Sequence, residues 1–424
     1  MSGKLAFVVF SATLGSAFQH GFHTGFVNIP DNMFLEWYDD IHKNRKTDSK
    51  LDIATIWSAT LSAFGIGGFV GGLFVALLAS SLGRKKALLC TNVFVFLGVA
   101  VMCLAPFSRS YEIFIVGRFL IGIGVGLNSG LCPIYLIEIS QDHNRGAAGS
   151  SYNLMVSFGI FMSQILGLPS VLGSPSLWTV AIGVAALPSI LQVILLVFCP
   201  ESPKFLYIDQ EDEDEAEESL SSLRCTWDID NELDELREET NILTEAQDVT
   251  FCRLFNDQTI RSPLIICTVA MLGHQLCGSN AIFLYSCSIM DSLNFTERTQ
   301  HYVTIGLGFT NFVITLASLI LVEYLGRKSL ILISFAGMTF TTLCLTISLV
   351  LLEKNEDLRA SMAYAALVFL FLFIILFALG AGSIPWFLTP ELHNHNARPM
   401  ATAVVVTVGW LTNFIFSMTG IILY

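Results

Sequence analysis

The sequence predicts an all-α membrane protein made of two tandem helical halves, on three observations. Over half of the 424 residues are hydrophobic and only 13% are charged, against roughly a quarter charged in soluble domains. Apolar runs of about 20 residues, the length one helix needs to cross hydrocarbon, recur along the chain. Two marks at the ends of these runs occur twice: Gly83-Arg84-Lys85 returns as Gly326-Arg327-Lys328, and Glu138 with Arg145 returns, at the same spacing, as Glu391 with Arg398. A helical unit that repeats with its charges on one side is the sequence mark of a secondary transporter.

Eleven spans are expected, near 5–28, 55–81, 86–106, 112–137, 147–170, 177–199, 264–291, 303–323, 329–352, 361–389 and 399–424. Six precede a hydrophilic stretch and five follow it, which divides the chain into an N-terminal lobe (1–199), a linker (200–260) and a C-terminal lobe (261–424). The first span follows Lys4 as a signal peptide would, but the polar string Gln19-His20-Gly21-Phe22-His23-Thr24-Gly25 continues it as a cavity-facing helix. In the second and fourth spans, Gly67 with Gly71, Gly68 with Gly72 and Gly122 with Gly126 are small-xxx-small pairs, expected to pack helices closely and to present smooth sliding faces. In the seventh, Gln275 and Asn280 would diverge by about 140° on a straight helix. A break at Gly278 is expected to turn both toward one cavity, as transporters do at the midplane. Pro385, after Gly380 and Gly382, predicts a hinge in the tenth span.

In the linker, residues 209–218 hold eight acids and no base, a self-repelling run read as a solvated segment. Leu220, Leu223, Ile229, Leu233 and Leu236 then fall at helical spacings among charges, predicting short amphipathic helices on the cytoplasmic face that brace the two halves. An inward N-terminus puts most Lys and Arg, including both Gly-Arg-Lys turns, in the cytoplasm. It leaves Asn294-Phe295-Thr296 as the sequon in an outer loop, with Asn294 the glycosylation candidate. The ten cysteines lack metal spacing and read as packing residues.

A charge at the bilayer centre is costly, and the middles of the spans nearly avoid it. They hold Thr24, Asn153, Gln164, His274, Gln275, Asn280, Asn311 and Asn413, with Trp386 and Trp410. Amides both donate and accept, as hydroxyls do, and an aromatic face suits the C–H face of a sugar ring, so the pattern predicts a neutral polyol ligand. Glu138, Arg145, Glu391, Arg398 and the two Gly-Arg-Lys turns sit at cytoplasmic ends, where ion pairs between the halves would form when that side closes and break when it opens. No clustered nucleophile, base or metal-ligand set points to an enzyme.

At these residues the chain resembles the facilitative glucose transporters, the sugar porter branch of the major facilitator superfamily. The most specific marks are Pro200-Glu201-Ser202-Pro203-Lys204-Phe205-Leu206, Gly117-Arg118-Phe119, Pro133-Ile134-Tyr135-Leu136-Ile137-Glu138, Gln275-Leu276 with Gly278 and Asn280, and Ile384-Pro385-Trp386-Phe387. The resemblance implies a major facilitator fold of two six-helix lobes, alternating access, and a hexose held mainly by the second lobe. By position it assigns sugar contacts to Gln275, Asn280, Asn311 and Trp386, accessory polar roles to Gln164 and Asn413, and an outer-gate role to Tyr285, whose usual tyrosine partner is Leu284 here. Ion-pair roles pass to Arg84, Glu138, Arg145, Glu323, Arg327, Glu391 and Arg398.

The departures from the family pattern bear on substrate choice and gating. His274 replaces the first of two glutamines, Asn153 replaces another, and Ala378 replaces a glutamate; Ser80, Ser81 and Tyr324 alter the two cytoplasmic turns. His23 stands where proton-coupled relatives carry an acid in the first span, which favours downhill transport. Because Tyr424 closes the eleventh span, the resemblance implies that the twelfth helix is missing from this chain. The expectation is a plasma-membrane uniporter for a hexose or related polyol, working in the lipid bilayer with no cofactor and no nucleic-acid partner. The alternatives are a truncated non-transporting sugar sensor or regulatory isoform, and a carrier of another solute such as fructose, inositol or urate.

Overall fold

A computed structural model describes residues 2–28, 31–45, 53–226, 229–245, 250–280, 282–283, 290, 295–354 and 359–419, and the described residues form no strand. The first half contains α1 (Gly3–Gly25), α2 (Asp31–Arg45), α3 (Ile53–Leu73), α4 (Val75–Leu82), α5 (Arg84–Leu104), α6 (Tyr111–Ile139), α7 (Arg145–Leu166), α8 (Trp178–Ala185) and α9 (Leu187–Val197). The linker holds a π-helical turn at Phe205–Asp209, then α10 (Glu213–Arg224), α11 (Asp230–Glu245) and α12 (Phe251–Asn256). The second half holds α13 (Gln258–Leu276), α14 (Glu297–Leu325), α15 (Arg327–Lys354), α16 (Arg359–Leu376), α17 (Ile384–Leu392) and α18 (Arg398–Thr419). Among the described residues nine helical stretches are long and apolar enough to cross a membrane. Two more helices, α7 and α13, have comparable length, 22 and 19 residues, with a more polar composition.

Local chemistry sets the ends of these helices. Ser2 and Ser110 cap α1 and α6 by accepting from Leu5 N at 3.1 Å and Ile113 N at 3.4 Å. Gly83 and Gly326 stop the helices before them at φ 82° and 77°, backbone that residues with a side chain rarely adopt. Those are the glycines of the repeated Gly-Arg-Lys mark, so the repeat is first of all a repeated turn.

The glycine pairs of α3 face two ways. A Cβ on Gly67 or Gly71 would meet the carbonyl of Phe119 or Ile123 on α6 at 2.2 and 2.3 Å, while one on Gly68 or Gly72 would meet Trp410 or Thr407 on α18 at 2.3 and 2.8 Å. One face joins α3 to its own half and the other closes it against the second half. Across the seam α18 also meets α4 and α6, α7 meets α14, and α17 meets α6 and α7.

Two features were not anticipated. The stretch after the first span contains α2, whose Phe34 stacks on Trp57 and sits edge-on to Trp178, and whose Tyr38 hydroxyl lies 3.0 Å from Thr60 Oγ1. The acidic run is not wholly a solvated segment, because Asp209 at its start is paired with Arg84. The amphipathic helices form as expected: Leu220, Ile229, Leu233 and Leu236 pack into a small cluster with Tyr207, and Leu223 joins the main core.

A side chain at Gly126, where a Cβ would lie 2.2 Å from the Gly68 carbonyl oxygen, must separate α3 from α6. Gly126→Val is expected to cost about 1–3 kcal/mol or more from overpacking and to lower the melting temperature in detergent. Gly183→Ala, which meets nothing within 4 Å, is the control and leaves it unchanged or slightly raised.

Candidate substrate site and cytoplasmic gate

The helix containing Gln275 ends at Leu276, and the chain turns at Gly278 with φ 90°. That turn brings together two side chains that a straight helix would separate. Asn280 Nδ2 donates to Gln275 Oε1 at 2.7 Å, and Asn413 Nδ2 from α18 lies 3.4 Å from the same oxygen. Beside them the tenth expected span is broken: α16 gives way to a π-helical turn at Phe377–Ala381, and α17 restarts with Pro385 in its first turn. The break frees the Ala381 carbonyl, which lies 2.8 Å from His274 Nδ1, and places the His274 ring 5.4 Å from Trp386.

The first half supplies the other wall. Asn153 Nδ2 donates across the seam to Ser383 Oγ at 3.0 Å. Gln164 is buried against α14, where a Cβ on Gly308 would lie 2.0 Å from its Oε1. Both polar atoms of Gln164 and Oδ1 of Asn311 are buried without a hydrogen-bond partner. Leaving such groups unmet costs free energy. Trp410 Nε1 donates to Ser129 Oγ at 3.0 Å, fixing one indole, while Trp386 packs among His20, Tyr152, His274 and Trp410.

At the helix ends that carry the Gly-Arg-Lys turns, the Glu138 side chain is fully buried and accepts from Arg84 Nη2 at 3.0 Å, Ser202 Oγ at 2.6 Å and Arg398 Nη1 at 3.0 Å, with Arg84 Nε 2.7 Å away in the same ion pair. Arg84 and Ser202 come from the first half and the linker, whereas Arg398 opens α18 in the second half. Arg84 Nη1 also reaches Asp209 at 3.0 Å, and His395 bridges the two acids, with Nε2 3.0 Å from Asp209 and Nδ1 3.5 Å from Glu138. Burial alone would raise the Asp209 pKa, but the hydrogen bond and charge of His395 and the charge of Arg84 outweigh it and hold the carboxyl below its ordinary range. Arg84 is further fixed from behind, since Glu201 Oε1 accepts the Arg84 and Lys85 amides at 2.9 Å each at the start of α5.

The second copy of the motif repeats part of this. Arg327 Nη2 pairs with Glu391 at 2.7 Å and Nη1 with Glu323 at 3.2 Å, and Glu323 Oε1 accepts the Ala147 amide of α7 across the seam at 2.9 Å. The repeated pairs, however, do not pair with themselves. Glu138 takes Arg398 rather than Arg145, and Glu391 takes Arg327; Arg145 forms its ion pair with nearby Asp142 at 2.8 Å. Tyr285, Leu284 and Asn294 lie outside the described residues. Sequence reasoning missed His20, Tyr152 and Ser383 in the central cluster, and Ser202, Asp209 and His395 in the inner network. His20 carried a signal as part of the polar string in the first span, and Ser202 as part of the mark at 200–206.

The model of the family described as "Sugar (and other) transporter" matches residues 8–423. The chain belongs to this sugar transporter family. It is 39% identical over 424 residues to the facilitated glucose transporter member 4 of Homo sapiens, covering 99% of this chain and 82% of that one. It is 36% identical over 420 residues to member 1 of Gallus gallus, covering 99% and 84%. Among solved structures it resembles the proton:xylose symporter XylE bound to 6-bromo-6-deoxy-D-glucose, with a TM-score of 0.85 at 20% identity, covering 100% of this chain and 89% of that one. It also resembles a partially occluded inward-open xylose transporter XylE from E. coli, with a TM-score of 0.78 at 20% identity, covering 100% and 92%. The sugar transporter chain therefore has the major facilitator fold and is a multi-pass membrane protein.

The gate geometry makes a specific forecast. With Glu138→Gln the buried carboxylate charge that holds Arg398 is gone, so access of membrane-impermeant thiol reagents from the cytoplasmic side to a cysteine placed at Ser383 is expected to rise several-fold. Asp209→Asn is expected to give a smaller rise. Unchanged labelling in both variants would contradict the gate. Because the Asp209 pKa is lowered in the closed form, its contribution is fully present at neutral pH and is lost only as pH falls through that lowered value.

Proposed function

We propose that this sugar transporter family member is a facilitated-diffusion uniporter for a hexose or closely related polyol, working by alternating access in the plasma membrane. The N-terminus and the linker at 200–260 lie in the cytoplasm, and the lobes are 1–199 and 261–424. The observation that carries this reading is the uncharged amide cluster of Gln275, Asn280 and Asn413, next in sequence to His274, whose ring packs on the Trp386 indole, together with the unsatisfied buried amide atoms of Gln164 and Asn311. Such a surface binds a neutral polyol: amides meet hydroxyls in both senses, and indole faces take the apolar side of a ring. Millimolar affinity needs about 4 kcal/mol, within reach of a few such bonds. The names of the relatives, glucose transporters among the proteins compared and a glucose analogue bound in XylE, point the same way.

Downhill transport is favoured by the first span. Helix α1 carries no acid, and Arg118, buried on α6, donates to the His23 backbone carbonyl at 2.7 Å rather than to a carboxylate. A proton-coupled carrier needs a group in the membrane that gains and loses its proton with each cycle. No covalent chemistry or cofactor enters this mechanism.

Reconstituted into proteoliposomes, the protein should take up D-glucose saturably until inside and outside concentrations match, with or without a proton gradient. Gln275→Leu and Trp386→Ala should each abolish the saturable component. Accumulation above equilibrium driven by a pH gradient would contradict uniport, and wild-type kinetics in both variants would contradict the site.

A further inference from the structure

Trp386 is flanked by two imidazoles, one from each half. His274 approaches at 5.4 Å from the second half, and His20 of α1 at 5.4 Å from the first, at interplanar angles of 80° and 83°. His20 also lies 5.1 Å from Trp410 and has Nδ1 3.2 Å from the Tyr152 hydroxyl. Tyr152, Trp386 and Trp410 are all buried, at 0%, 3% and 1% exposure, yet His20 among them keeps accessible surface. Ringed by these buried side chains from both halves, that surface faces the space between the halves rather than lipid.

We propose that His20 is a specificity-determining residue of the substrate site, contributed by the first half, and that its Nε2–H donates to one ring hydroxyl of the transported polyol. The inference rests on the sugar-site reading given above. The Tyr152 hydroxyl has no other hydrogen bond among the described residues, and the proposed tautomer is the one in which it donates to Nδ1. That places the imidazole proton on Nε2, which itself has no protein partner among the described residues. A histidine serving only as core packing would have both nitrogens satisfied or sealed off; this one has one nitrogen held by tyrosine and accessible surface beside the indole faces. The site thus gains a polar contact from the half that otherwise supplies Asn153 and Gln164.

The test is saturable uptake of D-glucose and each monodeoxy-D-glucose by the full chain in proteoliposomes, comparing wild type with His20→Phe and His20→Gln. Phenylalanine keeps the ring and loses the donor; glutamine keeps a donor. His20→Phe is expected to raise the glucose KM about tenfold, the effect of one lost hydrogen bond, with the maximal rate within about twofold. It is also expected to erase discrimination against one particular deoxy analogue while leaving discrimination against the others. His20→Gln is expected to restore most of both. Wild-type KM and discrimination in His20→Phe would overturn the proposal, as would an equal loss toward every analogue together with a lowered melting temperature. Absence of saturable hexose uptake by the wild type would overturn the substrate reading itself, and this inference with it.

Discussion

The structure depends on one buried carboxylate. Glu138 lies at the inner end of α6 with no exposed side-chain surface, and a charge in that setting is tolerated only when it is paired and hydrogen-bonded. Its partners fall into two groups. Arg84 and Ser202 belong to the same side of the seam as Glu138, and stay with it whichever way the halves tilt. Arg398 comes from the second half, with His395 beside it. Opening the inner side therefore never strands Glu138 without a cation; it removes one of two. That distinction sets the scale: losing every partner of a buried ion costs about 3–5 kcal/mol, whereas losing the outer one costs a fraction of that. A substrate shifts that balance only by the difference in its affinity for the two states.

The internal repeat explains how the same chemistry came to be on both sides and why the two sides are not equivalent. Gly83 and Gly326 make the same turn, and the arginines after them meet Glu138 and Glu391. Beyond that the copies diverge. Arg398 crosses to the other half, but its counterpart Arg145 stays with Asp142, and the reciprocal crossing is made by Glu323 to the start of α7. A buried pair thus anchors one side and a carboxylate on a helix N-terminus the other.

The all-helical, apolar character of the chain and the turn at Gly278 were legible in the sequence because hydropathy and glycine placement act locally. Asn280 beside Gln275 followed from that break, whereas Asn413, on α18, did not. The pairing of the gate residues was not legible: Glu138 to Arg145 and Glu391 to Arg398 are equally spaced, and spacing carries no information about which acid meets which base across a seam. Asp209 was hidden in an acidic run whose composition reads as solvated, since only the position of Arg84 and His395 distinguishes it from its neighbours. His20 was visible as polar but not as a partner of Trp386, a contact made by residues far apart in the chain.

The central claim is that Arg398 on Glu138 holds the two halves together at their inner ends. The most direct measurement is the distance between spin labels at Ser81→Cys and Lys328→Cys, on the inner ends of the two halves, in a background free of other reactive cysteines. With Arg398 intact and no substrate, the account predicts a distribution dominated by one short distance. Arg398→Ala should add a population several ångströms longer. An unchanged distribution in that variant would show that the inner ends are held by something other than this ion pair, and would contradict the account.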